Sequence, residues 1–206
     1  ILLPSMGVLT SSFAIGLGNI FAASWTCMVF WNVVESRKYL LETIIVSLAI
    51  LFGFLFYSSH LTSMAEKNLY FDKVVYSQQS NYQNIVLTRS NNGKIHRLYL
   101  DGHIQFSTKD EYRYHEYLVH PALTQVKAPT NVLILGGGDG LAAREVLKHN
   151  EVKRIDLVDI DPVITDIGLN NVIIKRLNEA SLSNPRVTVH NDDAFTFLNT
   201  NGISYD

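Results

Sequence analysis

A run of glycines interrupted by one aspartate is the part of the chain best suited to bind a small ligand. The four glycines are Gly136, Gly137, Gly138 and Gly140. Glycine lets a backbone approach a ligand closely because no Cβ stands in the way. Asp139, inside the run, would place a carboxylate beside that ligand. A tight turn with a capping aspartate explains the same residues equally well.

The spacing of these glycines argues against a pyrophosphate ligand. The dinucleotide fingerprint needs a small residue three positions after its second glycine, and Leu141 occupies that position. A phosphate-binding loop needs a Gly-Lys-Ser/Thr sequence, which this segment lacks. We therefore expect a glycine loop that holds an adenosyl group without phosphates.

A second acidic position suits the sugar of such a ligand. Asp159 ends the predicted strand Lys153–Asp159 and follows Gly138 by 21 residues. In nucleotide-binding α/β folds, an acid at this point accepts hydrogen bonds from the ribose hydroxyls. Asp161 precedes Pro162, and we interpret it as the N-cap of the next helix rather than as a ligand-binding residue.

A third strand end is also acidic. Asp192 and Asp193 follow the predicted strand Pro185–His190. Ligands of open α/β sheets bind outside the carboxyl ends of the strands. We therefore expect these aspartates to share one crevice with Asp139 and Asp159.

The elements that position these residues are those of a nucleotide-binding α/β domain. Residues 131–135 predict a buried strand and residues 141–148 a helix. Strand, glycine turn and helix form the first unit of a Rossmann-like, methyltransferase-type sheet. We place this domain at residues 126–206. We expect it to be truncated, because the chain ends directly after the start of another predicted strand.

Residues 66–125 predict a small antiparallel β subdomain followed by one helix. Its strands are predicted at 69–77, 84–89, 95–100 and 103–106. The helix is predicted from Lys109 to Gln125, with Thr108 and Glu111 as a capping box. Tyr114 and His115 lie on this helix, where such residues more often pack within the protein than bind a ligand.

Residues 1–65 hold only four charged side chains. Two long stretches, 1–34 and 43–65, hold none, and about twenty apolar residues span a bilayer as a helix. We predict two transmembrane helices, near 9–31 and 43–61, in preference to two buried core helices.

The placement of these helices in a membrane is less constrained. Gly7, Gly16 and Gly18 would allow them to pack closely. Two basic residues lie on each side of the second helix, so the positive-inside rule leaves the orientation open. These residues are Arg37, Lys38, Lys67 and Lys73.

Composition restricts the remaining classes of function. The net charge is −2, which argues against a nucleic-acid partner. Cys27 is the single cysteine of the sequence, so an intrachain disulfide and a cysteine-ligated metal site are excluded within it.

Six short segments, in their order and spacing, resemble the polyamine aminopropyltransferase family, spermidine synthases above all. They are Ser80-Asn-Tyr-Gln83, Leu100-Asp-Gly-His-Ile-Gln105, Asp110-Glu-Tyr-Arg-Tyr-His-Glu116, Gly136-Gly-Gly-Asp-Gly140, Val158-Asp-Ile-Asp161 and Asp193-Ala194. The resemblance covers residues 75–206. The first 65 residues resemble the membrane portion of bacterial members that fuse helices to the enzyme.

The resemblance implies roles for residues on the donor side of a site. Asp159 would bind the ribose hydroxyls, and Gln83 would contact the adenosyl thioether product. Asp193 and Ala194 would hold the adenine. The ribose acid is usually a glutamate in this family, and the aspartate found here is one methylene shorter.

On the acceptor side, the resemblance implies that Tyr114, His115 and Asp139 face the amine and aminopropyl groups. The family's general base is an aspartate on the strand after a Tyr-Asp pair. That pair corresponds to Tyr205 and Asp206, so we expect the catalytic base beyond Asp206 and the 206 residues alone to be inactive.

The reaction implied is transfer of an aminopropyl group from decarboxylated S-adenosylmethionine to putrescine, giving spermidine and methylthioadenosine. The leaving thioether is neutral, so we expect no cofactor and no metal. Both substrates are cations, which an acidic crevice attracts. We further expect a multi-pass membrane protein whose catalytic domain faces the cytoplasm, and a homo-oligomer.

Two other functions remain open at this point. An S-adenosylmethionine-dependent methyltransferase would share the fold, although its first strand often carries an acid and residues 131–135 carry none. A membrane-anchored module that binds polyamines without turnover would share the acidic crevice.

Overall fold

The computed structural model describes residues 8–31 and 37–206. Two compact units divide the chain, Ile1–Val74 and Val75–Asp206. Gly7 and residues 32–36 of the predicted interhelical loop lie outside the described residues, as does the side chain of Lys67. The domain boundaries predicted after residues 65 and 125 stay predictions.

The first unit contains two apolar helices, α1 (Val8–Val29) and α2 (Arg37–Leu69). The second predicted helix, near 43–61, is thus part of a longer one. It begins earlier because Arg-Lys-Tyr-Leu-Leu-Glu at its start contains good helix formers. The helix therefore extends beyond the uncharged stretch on which the prediction was based. By length and composition alone, Ser11–Val29 and Arg37–Tyr57 are apolar enough to cross a membrane.

The two helices pack against each other at a small residue. A Cβ on Gly16 would lie 3.3 Å from Leu51 Cδ1, and the rings of Phe13 and Phe54 stack with centroids 5.3 Å apart. Gly18, by contrast, would meet nothing within 4 Å. Of the predicted packing glycines, Gly16 and Gly18 are described, and only Gly16 lies at the contact between the helices.

The second unit begins with an antiparallel sheet of four strands in sequential order. The strands are β1 (Lys73–Gln79), β2 (Asn84–Arg89), β3 (His96–Leu100) and β4 (His103–Ser107). The turn between β3 and β4 is the predicted one, Asp101 and Gly102, and both residues have positive φ angles. β1 begins four residues later than predicted, because α2 continues to Leu69.

Helix α3 (Glu111–Gln125) follows the sheet and begins two residues later than predicted. The predicted capping box is wrong. Thr108 Oγ1 accepts the backbone N–H of His96 at 3.0 Å and so is bonded to β3 instead of the helix. Asp110 occupies the N-cap position without a side-chain cap hydrogen bond. The Glu111 carboxylate turns away from the helix start towards Arg144.

The rest of the unit alternates strands and helices. These elements are β5 (Asn131–Leu135), α4 (Leu141–Leu147), β6 (Arg154–Val158), α5 (Pro162–Asn170), α6 (Val172–Leu177), a 3-10 turn (Ser181–Ser183), β7 (Val187–His190) and α7 (Ala194–Thr200). β5, β6 and β7 form a parallel sheet in that order. The predicted α/β class is therefore found.

One apolar core joins the antiparallel sheet to the helices of the α/β part. Ile85 of β2 and Leu98 of β3 belong to the same buried cluster as Leu141 of α4 and Ile164 of α5. A second cluster packs α3 against α4 and β6. Residues on α3 and in the glycine turn before α4 are therefore held in a common framework.

Candidate active site

The parallel sheet brings three strand ends to one edge. Beyond the last paired residues, Gly136 N donates to Val158 O at 2.7 Å, and Asp159 N donates to His190 O at 3.0 Å. The glycine turn, Asp159 and residues 191–193 therefore leave the sheet side by side. The strand ends are adjacent as predicted, and a crevice shared by their aspartates stays a prediction.

Asp159 is oriented by two backbone amides. Its Oδ2 accepts the N–H of Gly138 at 2.8 Å, and its Oδ1 accepts the N–H of Asp161 at 2.9 Å. The side chain is half-buried. An ionised carboxylate has about four acceptor positions, so each oxygen retains capacity for a further donor. The carboxylate is fixed in place and still able to bind a ligand.

The glycine turn has no room for a side chain where it meets this carboxylate. A Cβ on Gly138 would lie 2.9 Å from Asp159 Oδ2 and 2.8 Å from Ile164 Cγ2. Distances this short do not occur at real Cβ atoms, so only glycine fits at this position. The turn and Asp159 thus form one unit of fixed geometry.

Asp161 is fully buried and has two tasks. Its Oδ1 accepts the N–H of Val163 at 3.0 Å, which confirms the predicted N-cap of α5. Its Oδ2 accepts hydrogen bonds from Ser80 Oγ at 2.7 Å and from Gln83 Nε2 at 2.9 Å. The second task was not predicted. It ties the loop between β1 and β2 to the end of β6 and places Gln83 beside the Asp159 segment.

Asp139 is buried, with 5 % of its surface exposed. Its Oδ1 accepts the N–H of Leu141 at 2.9 Å, so it caps the turn in front of α4. Burial raises the pKa of the Asp139 carboxyl, although this hydrogen bond and the nearby His115 act in the opposite direction. Asp139 therefore stabilises the turn, whereas Gly140 is the N-cap of α4, and a role of Asp139 towards a ligand stays a prediction.

Tyr114 and His115 line a cleft of about 510 Å³ together with residues of β4 and the start of α3. Tyr114 is 62 % exposed, whereas His115 is 6 % exposed. The two rings meet edge to face, with centroids 5.1 Å apart. The exposed tyrosine and the nearly buried histidine thus border the same space.

His115 is held by a buried ion pair that was not predicted. Its Nδ1 lies 2.9 Å from Glu111 Oε2. The Glu111 carboxylate in turn receives Nη1 and Nη2 of Arg144, each at 3.0 Å. Burial alone would lower the pKa of His115, but hydrogen bonds with Glu111 and the charge of Asp139 raise it above its usual value. The available sequence signal was an Arg-Glu pair inside the otherwise apolar helix Leu141–Leu147.

Asp193 and Ala194 lie at the third strand end. Asp193 Oδ1 accepts the N–H of Thr196 at 2.8 Å and caps α7. The aspartate is exposed, and Ala194 is half-buried. Nearby, Asn191 Oδ1 accepts a hydrogen bond from Thr165 Oγ1 at 2.9 Å, which ties this strand end to α5. The adenine-binding role of the two residues stays a prediction.

Among the described residues, no group of three or more histidine, cysteine, aspartate or glutamate side chains is arranged to hold a metal ion.

Comparison with known proteins identifies one family. Residues 111–206 match the model of the spermine/spermidine synthase domain. The polyamine aminopropyltransferase of Leptospira interrogans is 43% identical over 205 residues, which cover 98% of this chain and 40% of the relative. The polyamine aminopropyltransferase of Oceanobacillus iheyensis is 40% identical over 98% of this chain and 39% of its own length. The chain therefore spans about two fifths of the length of these curated relatives.

Solved structures agree with the sequence comparison. Spermidine synthase from Thermotoga maritima superposes with a TM-score of 0.56 and 31% identity, over 61% of this chain and 42% of the other. A spermidine synthase in complex with the transition state analogue AdoDATO gives the same TM-score and identity, over 61% of this chain and 43% of the other.

Proposed function

The chain belongs to the polyamine aminopropyltransferase family, and on that premise we propose that it transfers an aminopropyl group from decarboxylated S-adenosylmethionine to putrescine. The products are spermidine and methylthioadenosine. The observation that carries the proposal is the placement of Asp159, fixed by Gly138 and Asp161 at the carboxyl end of β6. Its free acceptor positions suit the two ribose hydroxyls of the donor.

The charge of the region favours cationic substrates. We use the name glycine-turn acids for Asp139, Asp159 and Asp161. Within residues 8–31 and 37–206, none of them forms an ion pair with a lysine or arginine. Negative charge that no basic side chain neutralises raises the local concentration of cationic ligands. Putrescine and the donor sulfonium are such ligands.

The chemical step is a displacement at a carbon bonded to sulfonium. The attacking amine must lose a proton first, because an alkylammonium has no lone pair. The departing thioether is neutral, so the step needs neither metal nor cofactor to stabilise it. A carboxylate base and the mutual orientation of the reactants supply most of the acceleration. We propose that the base is the aspartate that follows Tyr205-Asp206 in the family's pattern.

The assignment of Asp159 is tested by binding. In the full-length protein, Asp159→Asn keeps the size of the side chain and removes its charge. A hydrogen bond to a charged group contributes about 1.5–3 kcal/mol, so calorimetry should record a loss of roughly tenfold or more in methylthioadenosine affinity. The matched control is Asp166→Asn, an exposed aspartate of α5. Unchanged affinity in folded Asp159→Asn protein would move the ribose site elsewhere.

The type of reaction needs its own test. Purified full-length protein is supplied with putrescine and either decarboxylated or ordinary S-adenosylmethionine, and the products are identified by mass spectrometry. We expect spermidine with the decarboxylated donor only. Methylation of an acceptor by ordinary S-adenosylmethionine would replace the proposal by a methyltransferase. Binding of polyamines without any product would replace it by a binding module.

We propose, finally, that α1 and α2 anchor the protein in the cell membrane with residues 75–206 in the cytoplasm, where the substrates are found. Large apolar side chains such as Phe21, Trp25 and Phe56 are more than half exposed on these helices, and hydrocarbon would cover them. Membrane fractionation should recover the protein only with detergent; recovery in the soluble fraction would contradict the anchor. A homo-oligomer stays a prediction.

A further inference from the structure

We propose that Glu111 and Arg144 are positioning residues that hold His115 in a single tautomer, with the proton on Nδ1 and with Nε2 available to a ligand. The proposal deepens the proposed function, since the ligand would be the amine acceptor or the aminopropyl group beside Asp139. It concerns the contact between α3 and the glycine-turn helix α4.

The Glu111 carboxylate forms a buried ion pair with Arg144. Its two oxygens face the two terminal nitrogens of Arg144 at 3.0 Å, a bidentate pair whose side chains are each 9 % exposed. Burial alone would raise the pKa of Glu111, but the hydrogen bonds with His115 and Arg144 hold it below its usual value. An ionised carboxylate only accepts hydrogen bonds.

The hydrogen bonds of His115 place a proton on Nδ1. Nδ1 of His115 lies 2.9 Å from Glu111 Oε2 and 2.9 Å from Glu111 O. Both oxygens are acceptors, so Nδ1 must be the donor. In the neutral ring Nε2 then carries a lone pair, and in the charged ring it carries a second N–H. No hydrogen bond to Nε2 is made by the part of the chain that the structure describes.

Arg144 is itself held in place by hydrogen bonds. Arg144 Nε donates to Glu145 Oε1 at 2.8 Å, and Arg144 Nη1 donates to Leu177 O at 2.8 Å. Glu145 is fully buried and also receives Lys148 Nζ at 2.6 Å. The guanidinium is therefore fixed from α4 and from the end of α6, and cannot follow a rotation of Glu111.

The charged groups around His115 determine what Nε2 does. Glu111 stands on its own helix, Asp139 on the glycine turn, and Arg144 on α4 behind Glu111. A protonated ring would donate from Nε2 to an acceptor such as the Asp139 carboxylate. A neutral ring would accept from the ammonium of a bound amine. Either use requires Nδ1 to stay with Glu111.

The direct test is the ¹⁵N spectrum of the full-length protein in nanodiscs, with its histidines selectively labelled. His115→Gln identifies the signal among the seven histidines. In the parent protein, above the pKa of His115, we expect the neutral ring to show the Nδ1–H tautomer. A neutral ring that carries its proton on Nε2 would overturn the proposal, whatever any variant does.

The second test is Glu111→Gln, with Glu116→Gln as the control. Glu116 is the exposed neighbour of His115 on the same helix. Glu111→Gln should release the tautomer and lower the His115 pKa towards its usual value, because a negative charge is removed; Glu116→Gln should do neither. A tautomer and pKa that are unchanged in folded Glu111→Gln protein would reduce the pair to a structural contact.

The functional consequence is read from binding. With methylthioadenosine present, putrescine affinity should fall roughly tenfold in Glu111→Gln, equal to about 1.4 kcal/mol at 25 °C, while methylthioadenosine affinity stays within about twofold. If the parent protein binds neither compound, the proposed function fails while the tautomer result stands. If the parent binds both and the variant binds them equally well, the positioning role is excluded.

Discussion

The glycine-turn acids and the two glutamates of the α3–α4 contact are stabilised by different kinds of partner. The glutamates, Glu111 and Glu145, are the interhelical acids. They are surrounded by Arg144, Lys148 and histidines. The glycine-turn acids are instead surrounded by backbone N–H groups, a serine hydroxyl and a glutamine amide.

The difference indicates a structural role for the interhelical acids and a ligand-binding role for the glycine-turn acids. A buried ion needs either a counter-ion or a full set of hydrogen bonds. The interhelical acids have their counter-ions within the protein, so they contribute little net charge to a ligand. Asp159 and Asp161 have donors that carry no full charge, so their negative potential remains, whereas burial raises the pKa of Asp139. Asp159 and Asp161 therefore attract a cationic substrate. The interhelical acids hold α3 and α4 in place, and these helices position the residues around it.

The largest expected effect follows from removing the shared cation. Arg144→Met keeps much of the side-chain volume and leaves Glu111 and Glu145 buried without their arginine. Breaking a buried ion pair on one side costs about 3–5 kcal/mol, and denaturant unfolding should record a loss of that order. Arg113→Met, at an exposed position of α3, is the control. A loss below about 1 kcal/mol would mean that the interhelical acids do not depend on this cation.

A smaller effect is expected when a glycine-turn acid loses its carboxylate. Asp161→Ala removes the cap of α5 and the acceptor for buried Ser80, so we expect a loss of roughly 2–3 kcal/mol in the free energy of unfolding. Asp193→Ala removes only the cap of α7 and should cost about 1 kcal/mol. Equal losses in the two variants would show that the link from Asp161 to Ser80 and Gln83 adds nothing to stability.

The smallest effect concerns selectivity for the donor. It decides whether Asp139, which lies beside His115, acts on ligands or only stabilises the turn. If its charge acts on ligands, Asp139→Asn should weaken the decarboxylated donor and favour ordinary S-adenosylmethionine, because an attraction for the donor ammonium and a repulsion of the α-carboxylate both disappear. A tenfold change in the ratio of the two affinities corresponds to about 1.4 kcal/mol. Calorimetry with each donor measures it, with exposed Asp166→Asn as the control. Equal weakening of both donors would make Asp139 a turn residue only.

Local patterns predicted much of this framework. The bounds of β2 and β5, the Asp101-Gly102 turn and the Asp161 cap agree with the structure. Each depends on residues close together in the sequence, where strand periodicity and turn conformation decide the outcome.

The failures share a physical cause. Glu111 fits the capping-box pattern, but Arg144, 33 residues away, binds its carboxylate more strongly than a backbone N–H would. Asp161 likewise meets Ser80, 81 residues away. Neither partner lies within a window that local pattern recognition can use. The acids at the strand ends could be predicted, because the parallel sheet itself brings them together.

The apolar cluster shared by the antiparallel sheet and the helices that follow β5 and β6 has a consequence for folding. Ile85 and Leu98 are buried in one cluster with Leu141 and Ile164, so the antiparallel sheet shares its interior with helices α4 and α5. The second cluster packs α4 against β6. The two sheets should then open together as one cooperative unit, and amide protons at the centres of β2 and β6 should exchange with deuterium at similar free energies. Such a unit depends on contacts distant in sequence and so is expected to fold slowly.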